Sequence, residues 1–270
     1  MFAVAGIIVG LILLIGGGAL LVRGASEIAT AFGISPMVVG LTIVGFGTCA
    51  PELVVIIIGA LEGATGLAFG NVVGSNISNM GLVLGAAALM APIALQSGVI
   101  RRELPLFLLA TTMTTVMALD VPLSERPAMI DRGDSMLLML MFCIFVYFVA
   151  VDLSRAMRAD PLLAEIGEHP TVLMPTATRW QWFLVLGGCA LLVSGGEITI
   201  RNGIALSNQL GVQPAVVGLF VVAIGTSMPE LVTSIIAAVK KESDLALGNI
   251  IGSNIFNSLI VLPASGLIAG

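Results

Sequence analysis

Along the chain, apolar runs of about 20 residues alternate with short polar stretches, and that length crosses a bilayer core of roughly 30 Å. The pattern predicts eight membrane-spanning helices, at about residues 2–23, 36–61, 67–91, 104–120, 135–153, 180–206, 214–239 and 245–268. The second, third, seventh and eighth differ from the rest: they carry Gly, Asn, Ser and Pro at mid-depth, where lipid offers no hydrogen-bond partner. The first run, Met1 to Val22, lacks a basic leader and is too long for a secretory h-region, so it reads as a retained helix. The longest connection, Ser154 to Thr178, holds Arg155, Arg158, Asp160, Glu165, Glu168 and three prolines, and reads as a hinge between two halves. His169, the only histidine, falls there as a solvated loop residue.

The two halves are copies. Shifting the chain by 178 residues aligns Gly33–Leu82 with Gly211–Ile260 without a gap, and 25 of the 50 pairs are identical. The match continues weakly backward, pairing Gly17-Gly18 with Gly195-Gly196 and Arg23 with Arg201. An internal repeat of this kind sets the architecture. Five spans separate equivalent points, and an odd number makes the second copy enter from the opposite side. Inverted repeats with interrupted helices meeting near the midplane characterise many secondary transporters. The expected organisation is a first repeat at 1–153, a cytoplasmic linker at 154–178 and a second repeat at 179–270.

Composition agrees. Of 270 residues, 58% are hydrophobic and 10% charged, with a mean hydropathy of +1.11. Soluble domains carry about 25% charged residues, so this is an integral membrane protein. The net charge of -5 carries little information about partners, and no basic surface for nucleic acid is present. Cys49, Cys143 and Cys189 all lie in apolar stretches, which argues against a disulfide framework. Loops after the odd-numbered spans hold Arg23, Arg101, Arg102, Arg155, Arg158, Arg179, Lys240 and Lys241; the other side holds Arg126, Arg132 and Arg201. By the positive-inside rule the N-terminus lies outside the cytoplasm.

The candidate chemistry sits in the interrupted spans. Gly47-Thr48-Cys49-Ala50-Pro51-Glu52 returns as Gly225-Thr226-Ser227-Met228-Pro229-Glu230. A charged residue at the bilayer centre costs roughly 2.5–3.5 kcal/mol on insertion scales, which marks Glu52 and Glu230 as functional. Each proline removes an amide donor and clashes with the carbonyl four residues back, so carbonyls at Gly47/Thr48 and Gly225/Thr226 need other partners. A second cluster, Gly70-Asn71-x-x-Gly74-Ser75-Asn76-x-x-Asn79, returns at Gly248–Asn257. Its Asn71, Ser75 and Asn79, like Asn249, Ser253 and Asn257, share one helix face at i, i+4 and i+8. Carboxylates, carbonyls, hydroxyls and amide oxygens form a hard donor set suited to Ca²⁺ or Na⁺, not to zinc. The blander reading, that Asn, Ser and Thr merely hydrogen-bond between helices, does not account for paired glutamates beside helix breakers. The Asn76-Ile77-Ser78 sequon lies inside a span and is not a glycosylation site.

These doubled motifs resemble the two α-repeats of the cation/Ca²⁺ exchanger superfamily, nearest to its prokaryotic Na⁺/Ca²⁺ exchangers. The resemblance implies an all-α inverted-repeat transporter fold of ten helices, of which eight are visible here, with the last two of the second repeat missing. It implies a cation site between the second, third, seventh and eighth helices, alternating access by the first and sixth, and an extracellular N-terminus. It makes Glu52 and Glu230 the carboxylates shared by Ca²⁺ and Na⁺, with carbonyls from Thr48 and Thr226. Ser75, Ser253 and Ser227 would supply oxygen to flanking Na⁺ positions, and Asn79 and Asn257 would line the centre. Cys49 stands where that pattern has Ser, and Ile56 stands opposite Ser234 across the repeats. The expected protein is not an enzyme and needs no cofactor. It is a Na⁺/Ca²⁺ antiporter of the prokaryotic inner membrane, with H⁺ in place of Na⁺, or a non-transporting fragment, as the rival readings.

Overall fold

The computed structural model describes residues 2–61, 65–93, 101, 103–117, 130–158, 176–209 and 223–269. Among them every regular element is helical. We label them α1 (Phe2–Phe32), α2 (Pro36–Thr48), α3 (Ala50–Leu61), α4 (65–90), α5 (Leu104–Met117), α6 (Arg132–Arg158), α7 (Thr176–Gln209), α8 (Ala223–Thr226), α9 (Met228–Val239) and α10 (243–269). The eight predicted spans correspond in order to α1, α2–α3, α4, α5, α6, α7, α8–α9 and α10. The start of the seventh (214–222), the end of the fourth (118–120) and the linker centre (159–175, with His169) lie outside the described residues.

Hydropathy located the apolar part of each helix, not its ends. α1 runs to Phe32, well past the expected end near residue 23, because its last turns are polar but still helical. Arg23 pairs with Glu27 at 2.8 Å, an i,i+4 contact, and the helix stops where Gly33 adopts φ 62°. α2 then starts on a capped turn: Ser35 Oγ accepts from the Val38 amide at 3.3 Å, and Pro36 occupies the first helical position.

Glycine sets how closely helices approach. α1 and α7 lie antiparallel along most of their length, with Gly10, Gly17 and Gly24 of α1 facing Gly195, Gly188 and Gln181. A Cβ at any of those three α1 positions would stand 2.8 Å from a carbonyl oxygen of α7, so each needs glycine. Small residues at seven-residue intervals keep that seam on one face.

α10 is the hub, with 94% of its apolar window buried against 17% for that of α6. α2 crosses it at backbone contact. A Cβ on Gly40 would lie 2.5 Å from Leu245 O, and one on Gly252 would lie 2.6 Å from Leu41 O and 2.8 Å from Leu41 Cα. Beside this crossing, Phe256 packs on Phe46 and Phe142 with ring centroids 5.5 and 5.1 Å apart. Apolar side chains such as Ile12, Leu89, Leu140 and Phe183 face outward, as lipid contact requires. Wider π-helical turns interrupt three helices, at Gly40–Val44, Asn79–Val83 and Asn257–Val261. The last two occupy the same repeat position, and such turns concentrate at functional sites.

The α2–α10 crossing yields a stability test. Gly252→Val places methyls against immovable backbone and should lower stability in detergent by about 1–3 kcal/mol, read as a drop in thermal midpoint. Gly187→Val, where an added Cβ meets nothing within 4 Å, should change it by less than about 0.5 kcal/mol.

Candidate functional site

The two breaks are short and alike. α2 ends at Thr48 and α3 starts at Ala50, with Cys49 between them at φ -78°, ψ 0°. In the second copy Ser227 sits between α8 and α9 at φ -85°, ψ 5°. Each interruption is thus confined to one residue rather than an unwound stretch. The backbone stays close to helical because Cys49 N bonds Gly45 O, and Leu53 N bonds Cys49 O, both at 3.1 Å. Pro51 and Pro229 follow, and the next residues, Glu52 and Glu230, lie in the first turn of the restarting helix, where the dipole favours negative charge.

All ten residues singled out by sequence are buried. Thr48, Glu52, Ser75, Ser253 and Asn257 have no exposure, and Asn79, Thr226, Ser227, Glu230 and Cys49 have at most 3%. Glu52 and Glu230 lie close enough to repel each other, and Thr48 and Cys49 sit beside Glu230. Yet none of the four carboxylate oxygens has a hydrogen-bond partner among the described residues. Ser75 Oγ, Ser227 Oγ, Asn79 Oδ1 and Asn257 Oδ1 are likewise unpartnered. Buried polar atoms are almost always satisfied, so eight unpartnered oxygens from both repeats in one cluster of helices call for a ligand that accepts lone pairs. A cation does.

Several neighbouring polar atoms are satisfied, although Asn71 Nδ2, Thr233 Oγ1 and Asn254 Nδ2 have no partner among the described residues. Thr48 Oγ1 lies 3.2 Å from Gly45 O, 3.1 Å from Asn249 Oδ1 and 3.3 Å from Ser253 Oγ. The Cys49 thiol donates to Ser253 O at 3.6 Å, whereas the hydroxyl of its repeat counterpart, Ser227, is unengaged. Asn249 Nδ2 donates to Ser234 Oγ at 2.9 Å and to Glu230 O at 3.5 Å. Asn249 therefore joins α2, α9 and α10 behind the glutamates. The spacing Asn249–Ser253–Asn257 had placed it on the right face. Nothing in its own motif pointed to Ser234 as the partner, because the first copy has Ile56 there. Cys143 is exposed, and Cys189 is half-buried where a Cβ on Gly47 would meet its sulfur at 2.6 Å; both, like Cys49, are free thiols.

Interrupted helices, two buried carboxylates and unpartnered neutral oxygens from both repeats are features of membrane cation transporters. Comparison with known proteins names the family. Residues 2–151 and 180–270 match the family described as sodium/calcium exchanger protein. The inner membrane protein YrbG of Escherichia coli is 37% identical, over 99% of this chain and 80% of its own. The sodium/calcium exchanger MaX1 of Methanosarcina acetivorans is 31% identical, over 97% of this chain and 81% of its own. A solved structure of the sodium-calcium exchanger NCX_Mj, soaked with 2.5 mM Na⁺ and 10 mM Sr²⁺, superposes with a TM-score of 0.83 at 27% identity, covering 99% of this chain and 82% of that one. The chain belongs to the sodium/calcium exchanger family, as an integral membrane protein of the cation/Ca²⁺ exchanger superfamily.

The two copies of the site predict unequal costs. Asn249→Leu removes the link between three helices and leaves Ser234 without its donor, so stability should fall by about 1–3 kcal/mol. Asn71→Leu, at the repeat counterpart, should cost less than half of that, because Asn71 Nδ2 has no partner among the described residues and Ile56 replaces Ser234. Thermal midpoints of the two purified variants make the comparison.

Proposed function

We propose that this protein exports Ca²⁺ across the cytoplasmic membrane in exchange for inward Na⁺, the two ions competing for Glu52 and Glu230. The observation that carries this reading is the set of eight buried, unpartnered oxygens, four of them carboxylate, contributed equally by the two repeats. Two carboxylates balance one Ca²⁺, and their four oxygens with the neutral oxygens of Ser75, Ser227, Asn79 and Asn257 make eight, within the six to eight ligands this ion takes. Ser253 and the Thr48 and Thr226 carbonyls complete the set on this reading. Na⁺, of similar size and half the charge, fits the same hard donors but needs more than one ion to neutralise both glutamates. That difference makes occupancy mutually exclusive and ties the movement of one ion to the other. MaX1 and NCX_Mj are named as exchangers of sodium and calcium, which supports the same pair of substrates here.

The coupling follows from electrostatics. With the site vacated, two unpaired charges in an apolar bundle cost several kcal/mol each, so the conformational switch is open only to a loaded, neutralised site. Cys49 bears on selectivity. Its sulfur is a soft donor and is already committed to Ser253 O, so the first copy offers one hard oxygen fewer than the second, where Ser227 stands. We place the N-terminus outside, from the distribution of Lys and Arg, and assign 1–153 and 179–270 as the two inverted repeats.

Flux in inverted vesicles tests the proposal. Ca²⁺ uptake should be driven by an outward-directed Na⁺ gradient, and Glu52→Gln and Glu230→Gln should each reduce it at least about a hundredfold, the scale of removing a charged ligand. Uptake driven by a pH gradient and indifferent to Na⁺ would assign H⁺ as the counter-ion. No Ca²⁺ uptake under either gradient would rule out both.

A further inference from the structure

Four asparagines of the second motif form two hydrogen-bonded pairs that the repeat interconverts. Asn79 Nδ2 donates to Asn254 Oδ1 at 3.2 Å, and Asn257 Nδ2 donates to Asn76 Oδ1 at 3.3 Å. Residue 79 shifted by 178 becomes 257, and 76 becomes 254, so the second bond is the first one made again by the other copy. In each pair the inner asparagine commits its amide nitrogen to the opposite repeat. Its Oδ1 is then left without a partner among the described residues, with Asn79 1% exposed and Asn257 fully buried.

The direction of these bonds matters because a primary amide has two unlike ends. Oδ1 accepts and can coordinate a cation, whereas Nδ2 presents two donor hydrogens and repels one. Turned the other way, Asn79 and Asn257 would place four N–H bonds where oxygen is needed. We infer that Asn76 and Asn254 are positioning residues, which hold the amides of Asn257 and Asn79 so that their oxygens face the cation path. This rests on the proposed role of Asn79 and Asn257 as cation ligands. It adds two residues that touch no ion and that the sequence motif alone does not separate from the ligands.

The two clamps differ in their own support. Asn76 Nδ2 donates to Ser258 Oγ at 3.0 Å, so Asn76 is held at both ends of its amide. The repeat counterpart of Ser258 is Met80, which offers no such oxygen, and Asn254 Nδ2 has no partner among the described residues. The Asn79–Asn254 bond therefore carries its side of the site with less backing. Cys49, which replaces a hydroxyl, belongs to the same repeat as Asn79, so the weaker amide and the softer donor both fall in the first copy.

A double-mutant cycle on the full chain in detergent separates positioning from packing. Asn254→Leu removes the acceptor and frees the Asn79 amide to rotate, and should raise the Kd for Ca²⁺ by about tenfold, or about 1.4 kcal/mol. In an Asn79→Asp background both terminal atoms are oxygen, orientation no longer matters, and Asn254→Leu should change the Kd by less than about twofold. An equal loss in both backgrounds would show that Asn254 acts through packing alone and overturn the inference. Asn79→Leu with unaltered Ca²⁺ affinity would instead remove Asn79 from the ligands, and the positioning role would go with it. If Asn254→Leu does not yield folded protein, Asn76→Leu in the wild-type and Asn257→Asp backgrounds gives the same cycle, with the same two outcomes.

Discussion

Two carboxylates buried without a counter-charge among the described residues are the constraint on which the rest of this structure depends. Glu52 and Glu230 lie close enough to repel each other in a bundle whose other interior groups are mostly apolar or neutral, Glu103 being the exception. No Lys or Arg among the described residues forms an ion pair with either, the described salt bridges being Arg23–Glu27 and Arg201–Glu197 near helix ends. Low dielectric makes such charges costly when unpaired and makes any bound cation strongly held. A bundle tolerates this only if it is rigid enough not to collapse or admit a substitute partner. The surrounding polar side chains serve that end by bonding to one another.

The packing supplies the rigidity. Glycine contacts bring α2 onto α10 at backbone distance, and the hub position of α10 carries Asn249, Ser253, Asn254 and Asn257 into the interior. Asn249 ties Ser234 and the Glu230 carbonyl from behind, while the Asn79–Asn254 and Asn76–Asn257 bonds stitch α4 to α10 across the repeat boundary. Among the described atoms left unbonded are the four carboxylate oxygens and those of Ser75, Ser227, Asn79 and Asn257. In both Asn79 and Asn257 the amide nitrogen is bonded and the oxygen is not, the arrangement that the proposed cation site requires.

Much of this was legible in the sequence because a repeat doubles every signal. A glutamate after a proline is ambiguous once and informative twice, and the ten residues chosen from the doubled motifs and their resemblance to the exchanger repeats all proved buried. The order of the eight spans was also readable, since apolar length is a direct consequence of bilayer thickness. Helix ends were not: hydropathy cannot see the polar final turns that carry α1 to Phe32. Nor could spacing show that each break is a single residue, because proline and glycine permit anything from one turn to an open loop. The Asn249–Ser234 link escaped because the repeats diverge there, with Ile56 opposite Ser234. Asn76 and Asn254, the proposed clamps, share a motif with the proposed ligands Asn79 and Asn257, and only the direction of a hydrogen bond tells the two apart.

The central claim is that Glu52 and Glu230 together hold one divalent cation that Na⁺ displaces. Calorimetric titration of the purified protein with Ca²⁺ in Na⁺-free buffer addresses it most directly. The account predicts about one Ca²⁺ bound per chain, weakened by added Na⁺, and no binding to the Glu52→Gln/Glu230→Gln double variant. Binding of equal strength to wild type and double variant would contradict it.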